Sequence, residues 1–220
     1  MSGIARRLMG VTKVGGLIQY ISSSVGRSAN GVSSLSITKP SGTSNGDLLI
    51  AVLRGGGNSG TATITPNQSG WTTEIADTSL GFPNPWYVFS RNASSDPSSY
   101  SFVRSASTGT FDGVICLFRG GSNSVNVVGS FTNSSGTSLT APSITPSANG
   151  LFIVAYSWNG TPIISVAPSL TALNTDLNND GIAGTTVIYG GNATSGVATG
   201  SKTLTISSSA DWVAAQLSLE

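Results

Sequence analysis

Short apolar or alternating runs, each closed by Gly, Ser, Thr, Asn or Pro, follow one another along most of this chain. Among them are "SLSIT", "DLLIAVL", "WYVFSRN", "FDGVICLF", "LFIVAYSW", "KTLTIS" and "DWVAAQLSL". Helical periodicity is weak throughout, so no stretch offers the one-sided stripe by which a helix buries itself. Runs of this length between turn residues pair as hairpins and crossings, not as parallel strands joined by helices. The pattern predicts an all-β fold, an antiparallel β-sandwich.

Composition limits what such a fold does. Hydrophobic residues make up 38% of the 220, enough to fill a core. Charged residues make up only 9%, against about 25% in ordinary domains. Polar surface must come from Ser, Thr, Asn and Gly. A net charge of +1 gives no field for a phosphate backbone, so nucleic acid is not expected as a partner. His is absent, which removes the commonest general base and metal ligand together. The nine Asp and Glu are scattered and no acidic pair sits in a motif, so no enzymatic activity is expected. Cys116, inside "GVICLF", reads as a buried strand residue. No run reaches ~18 apolar residues, so no membrane span is expected.

The chain also repeats itself. "SITKPSGTSNGDLLIAV" from Ser36 is matched by "SITPSANGLFIVAY" from Ser143, which aligns Asn45-Gly46 with Asn149-Gly150. "VFSRNASS" is matched by "VIYGGNATS", aligning Asn92-Ala93 with Asn192-Ala193. "FDGVICLF" is matched by "ADWVAAQLSL", aligning Asp112 with Asp211. The three blocks keep their order and nearly the same separation. This gives two repeats, about 35–119 and 138–219. They could form two small domains or interleave in one sandwich over 26–220. The second is preferred, because a half of this size buries little apolar surface by itself. Residues 1–25 lie outside the repeat and read as an N-terminal extension.

The succession "GDLLIAVL", "GWT", "WYVFSRNAS" with "SDPSSYSF", "GVICLFRGG" and a second "NGLFIVAY" resembles jelly-roll-like β-sandwich modules of tailed-bacteriophage structural proteins. Similar modules occur in some bacterial surface proteins. The resemblance spans roughly Leu35 to Leu219. It implies a virion structural protein: a capsid decoration or cement protein, or a head, neck or tail accessory. Such a part assembles in the bacterial cytoplasm, contacts other virion proteins and carries no catalytic residues; trimers are common among shell decorations. The alternative is a host-surface glycan-binding module, since similar sandwiches serve both roles.

Three local features are candidate sites. The head "MSGIARRLMGVTKVGG" holds twin arginines but lacks the apolar segment a secretion signal needs, being broken by Lys13, Gly15 and Gly16. It reads as a partner-binding arm, with Arg6, Arg7 and Lys13 for acidic patches and Leu8 and Met9 as apolar anchors. "DLNNDG" places Asp176, Asn178 and Asp180 as in the first half of a calcium loop. Val187 stands where the bidentate Glu belongs, so a solvated turn competes with a calcium site. Trp86, Tyr87 and Trp158 sit at strand ends, where they either stack on sugars or fill the core. "RGGGNSG" lacks the Lys-Ser/Thr ending of a phosphate loop and reads as a hairpin.

Overall fold

The computed structural model describes residues 17–56, 62–78, 85–105, 109–159, 163–166, 170–174 and 185–220. The arm residues Arg6, Arg7, Leu8, Met9 and Lys13 lie outside them, as do Asp176, Asn178 and Asp180. The described residues form strands and no helix. In the first half these are β1 (Gln19–Ser28), β2 (Ser34–Thr38), β3 (Leu48–Gly55), β4 (Ile64–Pro66), β5 (Thr72–Asp77), β6 (Trp86–Asn92), β7 (Ser99–Arg104) and β8 (Phe111–Arg119). In the second half they are β9 (Val125–Ala141), β10 (Gly150–Trp158), β11 (Ile163–Val166), β12 (Thr171–Asn174), β13 (Thr185–Ala193) and β14 (Lys202–Leu219).

All pairings are antiparallel. One sheet runs β1-β8-β3-β6-β5, and a smaller one runs β2-β7-β4. The second half forms one six-stranded sheet, in which β14 pairs with β10, β11 and β9, and β13 lies between β10 and β12. The fold is the expected all-β antiparallel sandwich. The path β9-β14-β10-β13-β12 meets its strands in the same sequential sense as β1-β8-β3-β6-β5. The long β9 covers the roles that β1 and β2 divide, and β14 those of β7 and β8. Its first residues pair with Leu139 and Ala141 of β9, as β7 pairs with β2.

The continuous apolar runs explain the layering. Every residue of β3 is buried, as is nearly every residue of β8 and β10. A strand can be buried on both faces only if a layer packs on each. Leu49, Ala51 and Leu53 point toward Leu35, Ile37, Tyr100 and Phe102 of the small sheet. Leu48, Ile50 and Val52 point the other way and join Ile153, Ala155, Val213, Ala215 and Leu217 of the second half. There, Phe152, Val154 and Tyr156 pack inward on Leu139, Leu204 and Ile206. The expectation of one sandwich over 26–220 is thereby refined: each half has its own apolar cluster, and a third joins the halves.

The expected extension over 1–25 is shortened, because Gln19–Val25 belong to β1, paired in register with β8. The connection between the halves is tied down at both sides. Ser124 and Glu220 exchange backbone hydrogen bonds of 3.0 Å, and the Asn123 side chain donates to Gly46 O at 2.8 Å.

Candidate functional site

The sequence offered Trp86, Tyr87 and Trp158 for stacking on sugars. Trp86 and Trp158 are 0% exposed and Tyr87 is 6% exposed, so none presents a ring face to a ligand. The correction has a physical cause: β6 and β10 are central strands, covered on both sides. Tyr87 stacks on Phe89 inside the first half. Trp86 faces the other half, where its indole N–H donates to Ser157 Oγ at 2.9 Å.

That bond begins a buried polar chain across the seam. Thr186 has one proton and a carboxylate to give it to, so the Ser157 hydroxyl donates to Thr186 Oγ1, 2.8 Å away. Thr186 in turn donates to Asp112 Oδ2 at 3.5 Å. Asp112 is ion-paired with Arg54, whose side chain is fully buried. Three strands of one half and two of the other thus share one directional network. Nearby, the buried Arg104 donates to the carbonyl oxygens of Val32, Gly56, Gly109 and Thr110 and ties the loops at that end together. Burial, and next the Arg54 charge, push its pKa below the ordinary arginine value.

Other charges are also internal ties. Asp47 accepts from Arg119 Nε at 2.8 Å and Nη2 at 2.7 Å, and from Ser44 N at 2.7 Å. Buried Asp77 accepts from Asn133 of β9 at 2.9 Å. Asp112 and Asp211, aligned in the repeat, differ: Asp112 is buried opposite Arg54, whereas Asp211 is exposed and accepts from Ser135. Cys116 is buried, and burial raises its thiol pKa, so it is held as an unreactive core thiol. Among the described residues, no three His, Cys, Asp or Glu gather as a metal site.

A surface cleft beside β13 was missed in the sequence. Opposite Leu48 and Leu49 of β3 stand Asn92 and Arg91; opposite Leu151 and Phe152 of β10 stand Asn192 and Gly191. Arg91 and Gly191 therefore hold corresponding places. Arg91 fills its place: it pairs with Asp96, donates to Ser69 O, and lies 6.0 Å from the Trp71 ring centroid and 5.9 Å from that of Tyr100. Gly191 has no side chain, and the Phe152 ring takes that space: a Cβ at 191 would stand 2.6 Å from Phe152 Cζ. A cleft of about 270 Å³ opens beside the ring, between Phe152, Asn192, Val197, Thr199 and Lys202. A second depression, of about 290 Å³, lies across Gly190 toward Tyr20 and Leu173. The signal was present in the repeat itself, where "FSRNAS" becomes "YGGNAT".

Fold and site together define a charge-poor antiparallel β protein, cross-tied from within, with an open cleft beside a lysine. No family model, no curated protein and no solved structure matches the chain.

Proposed function

We propose that this chain is a structural part of a bacteriophage virion, a capsid decoration or cement protein or a head, neck or tail accessory, built from two copies of one sandwich unit. One observation carries the reading: in a chain with few charges, five are spent inside. Arg54, Arg104, Asp47, Asp77 and Asp112 are all buried and hold strands and loops together. The outside is mostly Ser, Thr, Asn and Gly, with few charges and scattered apolar side chains such as Ile21, Val128 and Phe131. Such a surface suits close packing on neighbours through hydrogen bonds and apolar contacts, which salt screens little. The resemblance of "GDLLIAVL", "GVICLFRGG" and "NGLFIVAY" to phage sandwich modules supports the same assignment.

The N-terminal residues supply the anchor in this reading, with Arg6, Arg7 and Lys13 on acidic patches and Leu8 and Met9 on apolar ones. Quantitative mass spectrometry of gradient-purified particles, released from cells that carry the gene, tests the assignment. We expect the chain at a fixed ratio to the shell or tail proteins, retained through a molar-salt wash. A chain found only in the soluble lysate contradicts the proposal. A chain lacking residues 1–16 is expected to show reduced occupancy; undiminished occupancy would remove the arm from the account.

A further inference from the structure

We propose that the cleft over Gly191 binds a carboxylated sugar, with its carboxylate on Lys202 and its ring against Val197. The inference does not depend on the virion assignment, because it rests on a difference between the two halves. In the first half the corresponding place is closed by Arg91, whose charge is met by Asp96. In the second half no arginine stands there: the Phe152 ring lies over Gly191, and the cation beside it is Lys202 of β14, on the far side of β10. Lys202 Nζ lies 5.4 Å from the centroid of the Phe152 ring. Among the described residues no carboxylate forms an ion pair with it. The ring beneath favours the ammonium group without neutralising it.

The rim matches the rest of such a ligand. Asn192 and Thr194 are exposed and bring an amide and a hydroxyl for sugar hydroxyl groups. Val197 is 55% exposed on the facing loop and offers an apolar patch for a C–H face. The loop is already built: Gly196 N donates to Pro146 O at 2.8 Å, Thr199 N to Ile144 O at 2.9 Å and Thr199 Oγ1 to Gln216 Oε1 at 2.8 Å. A preformed rim spares the ligand the cost of ordering it. These backbone donors are committed to carbonyl oxygens, and a single ammonium remains. Phosphate and sulfate sites draw on several converging backbone N–H groups or a guanidinium fork. One ammonium flanked by an amide and hydroxyls suits a carboxylate carried on a polyol.

The test is titration of the ¹⁵N-labelled full chain, followed by amide chemical shifts, with glucuronic acid, glucose and acetate in separate arms. We expect saturable shifts at Gly191, Asn192 and Val197 with glucuronic acid, and binding weaker by about tenfold or more for glucose and for acetate. Lys202→Gln, a change at a half-exposed position, is expected to weaken glucuronic acid by about tenfold. Val197→Glu, which sets a carboxylate beside Lys202, is expected to abolish it; the same spectra report that each variant is folded. Absence of saturable shifts overturns the proposal. So does unchanged affinity in folded Lys202→Gln. Acetate binding as tightly as glucuronic acid would do so too, since the cleft would then read a carboxylate alone, as an acidic peptide could supply.

Discussion

At the residue scale, the least replaceable contacts are the buried charges. Removing one partner of a buried ion pair leaves the other stranded, which costs about 3–5 kcal/mol. Arg54→Met should therefore lower the unfolding free energy by about that amount in urea titrations, because it strands Asp112. Arg54→Met combined with Asp112→Leu should recover most of the loss; a double variant as unstable as the single one would contradict this. Asp47 gives a pH signature. Its hydrogen bonds to Arg119 hold its pKa below the usual carboxylate value. The folded pKa is depressed, so this stabilisation is complete above the unfolded value of about 4 and fades as pH falls through the folded one. The Tm gap between wild type and Asp47→Asn should be widest near neutral pH and close in acid. A gap that is constant with pH would count against the tie.

Some of this was legible in residues and some was not. The repeated Asn-Gly and Asn-Ala pairs stood out in the sequence, and the structure supplies their reason. Asn45 Oδ1 accepts from Ser95 N at 2.9 Å, and Asn149 Oδ1 accepts from Ser195 N at 2.8 Å. Each asparagine clamps the loop after the strand that neighbours its own. Trp86 and Trp158 were ambiguous, because a tryptophan at a strand end reads the same whether its strand is central or at an edge. The arginine-to-glycine exchange at Arg91 and Gly191 was visible in the aligned halves. Its meaning required knowing which strand pairs with which.

At the element scale, strand positions followed from the apolar runs, but their lengths did not. "KTLTIS" and "DWVAAQLSL" read as two strands and are one, β14, which pairs with β9 on both sides of a register shift near Thr205 to Ala210. Residues on such a corner are exposed and alternate poorly, so the sequence shows a break where the chain only bends. Unbroken apolar runs such as "LLIAVL" and "GVICLF" did carry the sign of burial on both faces, and hence of layers beyond one sandwich. The connector has a sharper requirement. Gly121 has φ +60°, and a Cβ there would lie 2.4 Å from the Glu220 carbonyl carbon. Gly121→Ala should cost at least about 1 kcal/mol, read by thermal or urea unfolding. A neutral result would show that the C-terminal residue is not packed against the connector.

At the scale of the whole molecule, the seam decides whether two sandwiches act as one body. It is made of Leu48, Ile50, Val52 and Val114 on one side and Ile153, Ala155, Val213 and Leu217 on the other, with the polar chain from Trp86 to Arg54 crossing it. Separating the halves would expose this apolar face, leave the Trp86 indole N–H without Ser157 and part Thr186 from Asp112. The halves should therefore unfold together. A rigid body of this kind is also what the proposed place on a particle calls for.

The most direct test is hydrogen–deuterium exchange across a urea series, comparing peptides from β3 with peptides from β10 in wild type and in Arg54→Met. One shared midpoint, displaced equally in both halves by the substitution, is the expected result. Two separate midpoints, with the substitution felt only in the first half, would contradict the account.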